Sequence, residues 1–336
     1  MSERYSRQVL FTGIGAEGQL RLTTARVAIV GCGATGSALA SLLARAGVGT
    51  IRIIDRDYVE PSNLQRQSLF DESDAAESLP KAIAAARKIS AFNSEVTIDP
   101  RVADLIPSNI ATLLDGTQLI LDGTDNFETR YLINDFAVQQ SLAWIYTAAV
   151  GSYGVTMNII PGKSACLACI FPDPPRGTLE TCETAGVLNT AVNWAASVAA
   201  TEAIKLLVGA EDQLRQSLLS LDLWSNRQAE VATDGPRAGC RACGEREFLH
   251  LAGKERPQVT LCGRNSVQIH ERARTVDLSE MSKRLKPHGA VRHNDFVLKF
   301  WHEPYEMTLF PDGRAIIKGT TDTTVARSLY ARYVGS

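Results

Sequence analysis

Three sets of residues have the types and spacing to do chemistry. The first is Gly31-Cys-Gly33-Ala-Thr-Gly36. Glycines at this spacing let a backbone approach a phosphate, and the amides of a helix that follows stabilise negative charge. Asp55 falls close to the roughly 20-residue offset at which an acidic side chain meets a ribose hydroxyl. The second set is the stretch from Asp55 to Gln67, dense in Asp, Asn, Arg and Gln. The fingerprint alone fits NAD, FAD, S-adenosylmethionine or ATP, and this stretch separates them. A dehydrogenase needs little here beyond its ribose-binding acid. A site that holds a triphosphate needs donors and positive charge, and Asn63, Arg66, Gln67 and the later Lys81 supply them. The third set is Cys166-Leu-Ala-Cys169, answered much later by Cys240-Arg-Ala-Cys243. Four thiolates are the ligand set of a closed structural zinc site, which here would staple two distant segments; a redox pair is the alternative.

These residues need elements to position them. Val27 to Val30 reads as a short apolar strand, Ser37 to Arg45 as a helix and Thr50 to Ile54 as a second strand. Lys81 opens an alanine-rich helix to about Phe92. Strands are expected at Glu95 to Asp99 and Gln118 to Leu121, and helices at Ser108 to Leu114 and Glu128 to Gln140. Asp122-Gly-Thr-Asp-Asn126 directly follows a strand. In a doubly wound sheet that is where ligands sit, so Asp122 and Asp125 could hold magnesium; helix capping by Asp125 or Asn126 is the competing use. Ala143 to Val150 and Val155 to Ile160 read as strands and Val187 to Val208 as a long apolar helix. Between the cysteine pairs, Phe171 to Ala185 is an irregular connection carrying Cys182. Strands at Leu218 to Leu221 and Gln228 to Val231 complete this part.

The expected architecture is α/β: a Rossmann-like, doubly wound, mostly parallel sheet with a zinc-stapled C-terminal part over residues 1–252. Residues 253–336 form a small α+β domain, with strands at Gln258 to Leu261, Phe296 to Trp301, Met307 to Phe310 and Arg314 to Ile317. Its helices are expected at Ser279 to Leu285 and Thr323 to Arg332. A net charge of -2 over 336 residues leaves no electrostatic footprint for nucleic acid or an anionic membrane surface. No apolar run of signal-peptide or membrane-spanning length stands out, so a cytoplasmic location is expected. Seven cysteines without an export signal point to metal binding or reactivity before a disulfide framework.

Together these motifs resemble the ThiF/MoeB/HesA family, the bacterial ubiquitin-activating-enzyme-like adenylyltransferases of sulfur-carrier proteins in thiamine and molybdopterin synthesis. The matching text is Arg4-Tyr-Ser-Arg-Gln, the glycine fingerprint, Asp55-Arg-Asp-Tyr-Val, Ser62-Asn-Leu-Gln-Arg-Gln, Pro80-Lys81, Asp122-Gly-Thr-Asp-Asn, both cysteine pairs and Thr181-Cys-Glu-Thr-Ala-Gly186. The resemblance covers about residues 4–248. It implies that Gly31, Gly33 and Gly36 line the phosphate turn of an ATP site and that Asp55 holds the ribose. Asp57, Asn63, Arg66, Gln67 and Lys81 would surround the phosphates and Asp125 would bind Mg2+. Arg7 would reach the triphosphate from the other subunit of a homodimer, and Cys166, Cys169, Cys240 and Cys243 would bind Zn2+. In parts of the family the cysteine matching Cys182 forms a covalent link with the carrier or with sulfur. The implied substrate is the C-terminal carboxylate of a small ubiquitin-like sulfur-carrier protein ending in Gly-Gly, with a sulfur donor such as a cysteine desulfurase as a further partner. Alternatives from other classes are adenylation of a small-molecule carboxylate, a non-catalytic carrier-docking protein and an NAD-dependent oxidoreductase. Two departures stand out. Ala34 replaces a second consecutive glycine, which is tolerable if its φ is negative, and the C-terminal domain is absent from the minimal bacterial members.

Overall fold

The computed structural model describes residues 3–173, 185–253, 260–261, 265–269 and 275–335. Cys182 and the rest of 174–184 lie outside the described residues, as does the first part of the strand expected from Gln258. Two compact units are present: residues 1–76 with 81–255, and 77–80 with 256–336.

The first unit opens with helices α1 (Ser6–Val9) and α2 (Gly15–Thr24), then β1 (Arg26–Val30), α3 (Ala34–Ala46) and β2 (Thr50–Asp55). Short helix α4 (Glu72–Ala76) and α5 (Lys81–Phe92) precede β3 (Thr97–Val102), α6 (Ile110–Leu113), β4 (Leu119–Asp122) and α7 (Phe127–Gln140). The remainder is β5 (Ala143–Val150), β6 (Tyr153–Ile159), α8 (Leu167–Ile170), α9 (Asn189–Val208), β7 (Ser217–Asp222) and β8 (Arg227–Ala232). The sheet order is β3-β2-β1-β4-β5-β6-β7-β8. Pairing is parallel from β3 through to β5 and antiparallel from β5 to β8.

Sequence chemistry explains this arrangement. β4 is buried throughout and β1 from Val27 onward, because helices cover both faces of a parallel sheet. Pro100 sits inside β3, tolerated because β3 is an edge strand and a central one would lose a ladder bond. Gly47 and Gly209, at φ +82° and +87°, end α3 and α9 in left-handed caps. The core on the α7 side gathers Ile120, Tyr131, Ile133, Trp144 and Ile159 around the cysteine pairs. Each such fully buried large side chain contributes about 1.5–3 kcal/mol. By length and composition α9 could span a bilayer, contrary to the sequence expectation. Here it packs against α2, α3, β5 and β6, which accounts for its apolar composition.

The boundaries differ from expectation in instructive places. α3 starts at Ala34, inside the glycine fingerprint, three residues before the expected start. Ala34 is therefore a helical residue and is absent from the positive-φ positions. β3 runs three residues further than the apolar pattern suggests, through Pro100.

The second unit is an antiparallel six-stranded sheet, in the order β11-β12-β13-β14-β10-β9. Its strands are β9 (Thr260–Leu261), β10 (Ser266–Ile269), β11 (Ala290–His293), β12 (Leu298–His302), β13 (Tyr305–Leu309) and β14 (Ala315–Lys318). Helices α10 (Leu278–Leu285) and α11 (Thr323–Tyr333) are capped by Asp277 and Asp322, whose side chains accept from the first-turn amides. The strands β10 and β11 are missing from the sequence reading.

Candidate active site

At the carboxyl ends of β2, β1 and β4 the strand order reverses, the place where doubly wound sheets take ligands. Gly31 leaves β1 at φ +84°. A Cβ there would lie 2.6 Å from the Gly123 carbonyl oxygen, and one on Gly36 would lie 1.9 Å from that of Gly31. The β1 turn, the first turn of α3 and the exit of β4 thus touch backbone to backbone. Gly33 is different. A Cβ on it would meet only Gln67 Nε2, at 3.9 Å, so its glycine keeps a space open and does not relieve a clash. The first amides of α3 have no side-chain cap, which leaves them as donors facing that space.

Around the turn stands a ring of buried polar groups. Asp55 ends β2 with Oδ2 accepting from Cys32 N at 2.5 Å and Oδ1 from Asp57 N at 2.6 Å. Burial pushes its carboxyl group up, and the Lys81 ammonium opposes the shift. Lys81, at the start of α5, is only 3 % exposed. Its Nζ lies 3.2 Å from Asp57 Oδ2, and its backbone N–H donates to Asp57 O. Asn63 is buried and serves a local turn, accepting from Glu60 N at 3.1 Å. Gln67 is also buried, with Oε1 lacking any partner among the described residues. A buried orphan acceptor is costly unless a ligand or water meets it, so Gln67 suits a ligand-binding wall. Arg66 is partly exposed, its Nη1 donating to Ser62 O at 2.9 Å.

At the exit of β4, the two aspartates divide. Asp122 is fully buried and both oxygens are engaged: Oδ1 by Thr124 N and Oγ1, Oδ2 by Arg130 Nε at 2.8 Å. It has no capacity left for an ion, which corrects the expectation that it could share magnesium. Capping of α7 falls to Asn126, whose Oδ1 accepts from Thr129 N at 2.8 Å. Asp125 is exposed, and its Oδ1 accepts from Asn126 Nδ2 at 3.4 Å. Its carboxylate is of the kind and placement that suit Mg2+.

Arg7 does not join this set. Gln8 Nε2 donates to Ala46 O at the far end of α3, and Arg4 Nη1 donates to Phe92 O at the far end of α5. A 13-residue helix is roughly 20 Å long, so within one chain the exposed Arg7 lies that far from the glycine turn.

The four cysteines meet elsewhere. Their sulfurs lie within 4.8 Å of one another, with contacts of 3.3, 3.6 and 3.8 Å. Zinc–sulfur bonds of about 2.3 Å in a tetrahedron put sulfurs about 3.8 Å apart, so the donor set fits Zn2+. Helix α7 holds this corner: Asn134 Oδ1 accepts from Leu167 N, and Asp135 accepts from Arg241 and from His250 N. Tyr131 stacks on His250 at 4.9 Å and donates to Phe171 O. Gly123, Arg130, Asn134 and Asp135 are given no individual role in the sequence reading. A glycine directly after a strand, and polar residues on the buried face of a helix, were the available signals.

The profile of the ThiF family matches residues 5–242. Sulfur carrier protein ThiS adenylyltransferase of Bacillus subtilis is 42% identical over 339 aligned residues, covering both chains completely. SAMP-activating enzyme E1 of Haloferax volcanii is 35% identical over 72% of this chain and 89% of its own. Adenylyltransferase and sulfurtransferase MOCS3 of Sus scrofa is 36% identical over 72% of this chain and 53% of its own. Among solved structures, E. coli MccB with ATP shares the fold, with a TM-score of 0.64 and 23% identity over 72% of this chain and 75% of that one. With the family profile spanning most of its length and a relative matching from end to end, the chain belongs to the ThiF family.

Proposed function

We propose that this protein uses ATP to adenylylate the C-terminal carboxylate of a small ubiquitin-like sulfur-carrier protein ending in Gly-Gly. A carboxylate oxygen attacks the α-phosphorus, the bond from that phosphorus to the bridging oxygen breaks, and pyrophosphate leaves. The observation that carries this reading is the glycine turn, with buried Asp55, Lys81 and Gln67 and half-buried Asp57 ringed about it at the sheet end that also bears Asp125. The nucleophile is already ionised at neutral pH, so the site needs no general base. Its work is positioning and charge neutralisation.

Gly31, Gly33 and Gly36 bring backbone amides to the phosphates and Asp55 takes the ribose. Lys81, Arg66, Asn63 and Gln67 line the triphosphate, with Asp57 orienting Lys81. Asp125 would hold Mg2+, which would supply charge neutralisation on the phosphates. Arg7 completes the site from the second copy of a homodimer, a reading supported by its distance from the turn within one chain. Zn2+ on Cys166, Cys169, Cys240 and Cys243 is structural. After adenylation, in the cytoplasm, Cys182 serves either as a nucleophile on the acyl carbon, expelling AMP, or as acceptor of the sulfane sulfur of a cysteine desulfurase persulfide, whose own thiol is restored. Residues 253–336 help recognise the carrier; the relative named for ThiS matches through this unit, whereas the archaeal one aligns over 72% of the chain.

Carrier-dependent exchange of labelled pyrophosphate into ATP tests the proposal, starting with a ThiS-type carrier. Exchange with one Gly-Gly-ended carrier, reduced in Arg66→Ala and Asp125→Ala, is the expected result. Near-normal exchange in both variants, or none with any carrier despite measurable ATP affinity, overturns it.

A further inference from the structure

We infer that Arg130 is a positioning residue for Asp125, fixing the turn that presents this carboxylate to the metal; the inference rests on the reading of Asp125 given above. Arg130 is 5 % exposed. Its Nε donates to Asp122 Oδ2 at 2.8 Å, and its Nη2 donates to Thr124 O at 2.7 Å and Thr147 O at 3.2 Å. The guanidinium lies over the rings of Phe127 and Tyr146, with 5.4 and 5.1 Å to the centroids. One planar fork therefore ties the β4 exit, the turn and β5 together.

The consequence for Asp125 follows from what remains uncommitted. Thr124 has its N–H and hydroxyl bound to Asp122 and its carbonyl bound to Arg130. Asn126 on the other side caps α7. The turn is pinned on both flanks, and between them Asp125 is exposed, engaged by a long bond of 3.4 Å from Asn126 Nδ2. A buried ion pair is a poor device for stability, because apolar replacements of the same volume are often neutral or better. Its value here is geometric: it sets which way the next carboxylate faces. Lysine cannot substitute, since an ammonium lacks the planar fork that reaches three acceptors at once.

The test uses the full-length protein and Mn2+·ATP, because Mn2+ takes the same oxygen ligands as Mg2+ and its binding is read directly by electron paramagnetic resonance without any carrier. Arg130→Lys is expected to weaken Mn2+ affinity in the ATP complex by roughly 10- to 100-fold, the usual effect of losing a partner that orients a metal ligand. Exchange at saturating metal is expected to fall far less. In an Asp125→Asn background the same substitution should cost little more, since residues acting through one group are not additive. Thr124→Ala, which removes only the hydroxyl bond to Asp122, should shift affinity in the same direction by less. Unchanged Mn2+ affinity in a folded Arg130→Lys protein overturns the inference. If that variant does not fold, unchanged affinity in Thr124→Ala does so. Full additivity with Asp125→Asn, or no Asp125-dependent Mn2+·ATP binding in the wild type, also overturns it. Normal Mn2+·ATP binding without exchange on any carrier would instead refute the carrier reading and leave this one standing.

Discussion

The glycine turn and the cysteine corner are held in opposite ways. At the turn, backbone touches backbone and the side chains around it keep unused capacity: among the described residues Gln67 Oε1 has no partner, Asp125 is exposed, and the first amides of α3 have no side-chain cap. At the corner three of the four thiols are buried, and every supporting polar group named above has its partner inside the fold. Unfinished hydrogen bonding marks a surface that receives a ligand, whereas completed bonding marks one that holds the chain together. Helix α7 serves both, with Arg130 turned to one and Asn134 and Asp135 to the other.

The contrast predicts a separation of activity from stability. Lys81→Met keeps the volume while removing the charge, and carrier-dependent pyrophosphate exchange should fall by roughly 10²- to 10³-fold. Its melting temperature should fall only modestly, because Asp57, the carboxylate left behind, is partly exposed and keeps Arg56 at 3.9 Å. Calorimetry showing a large fall in melting temperature would break the comparison. Cys240→Ser is the converse. Elemental analysis should find zinc lost, and removal of a structural metal worth several kcal/mol should lower the melting temperature on the order of 10 °C. ATP affinity in the protein that remains folded should be nearly retained; a parallel loss would show that the two regions are one.

The smallest effect calibrates the others. Glu202 on α9 lies away from both regions. Burial alone would raise its carboxyl, but bonds from Lys205 Nζ, Arg215 N and Asn158 Nδ2 outweigh that and hold it below the ordinary glutamate range. A depressed carboxyl contributes stability above the ordinary glutamate pKa, and that contribution is lost as pH falls through the lower folded value. Glu202→Gln should therefore cost about 1.5 kcal/mol at pH 7 and progressively less in acid, with exchange activity unaffected. Urea midpoints across the acid range check this; a pH-independent cost would contradict it.

Much of this was legible in the sequence where a residue type has one dominant use. The glycine spacing and the paired cysteines specify backbone approach and a four-thiol set with little help from context. What sequence could not say is which groups have their capacity already spent. Asp122 and Asp125 look alike in Asp-Gly-Thr-Asp, and the bonds that Thr124 and Arg130 make to Asp122 decide between them. Gly123 reads as punctuation until Gly31 is seen against it. The helix start at Ala34 was hidden because Gly36 looks like turn and is in fact helix. In the second unit, β10 and β11 are four-residue strands of mixed polarity, one of them an exposed edge, so neither has enough alternation to register.

The sheet order also sets a timetable for folding. In the second unit, β11 to β14 pair with their immediate successors, so most of that sheet forms from local hairpins. In the first, β1 stays half-paired until Leu119 arrives beside Val27, and Cys166 waits for Cys240, 74 residues later. Long loops must close before such contacts return any stabilisation. Thiols that become neighbours only at the end of this sequence remain separate pairs for most of it, exposed to whatever oxidant or stray metal the surroundings hold. Yield on refolding should therefore depend on zinc supply more than the finished protein depends on it.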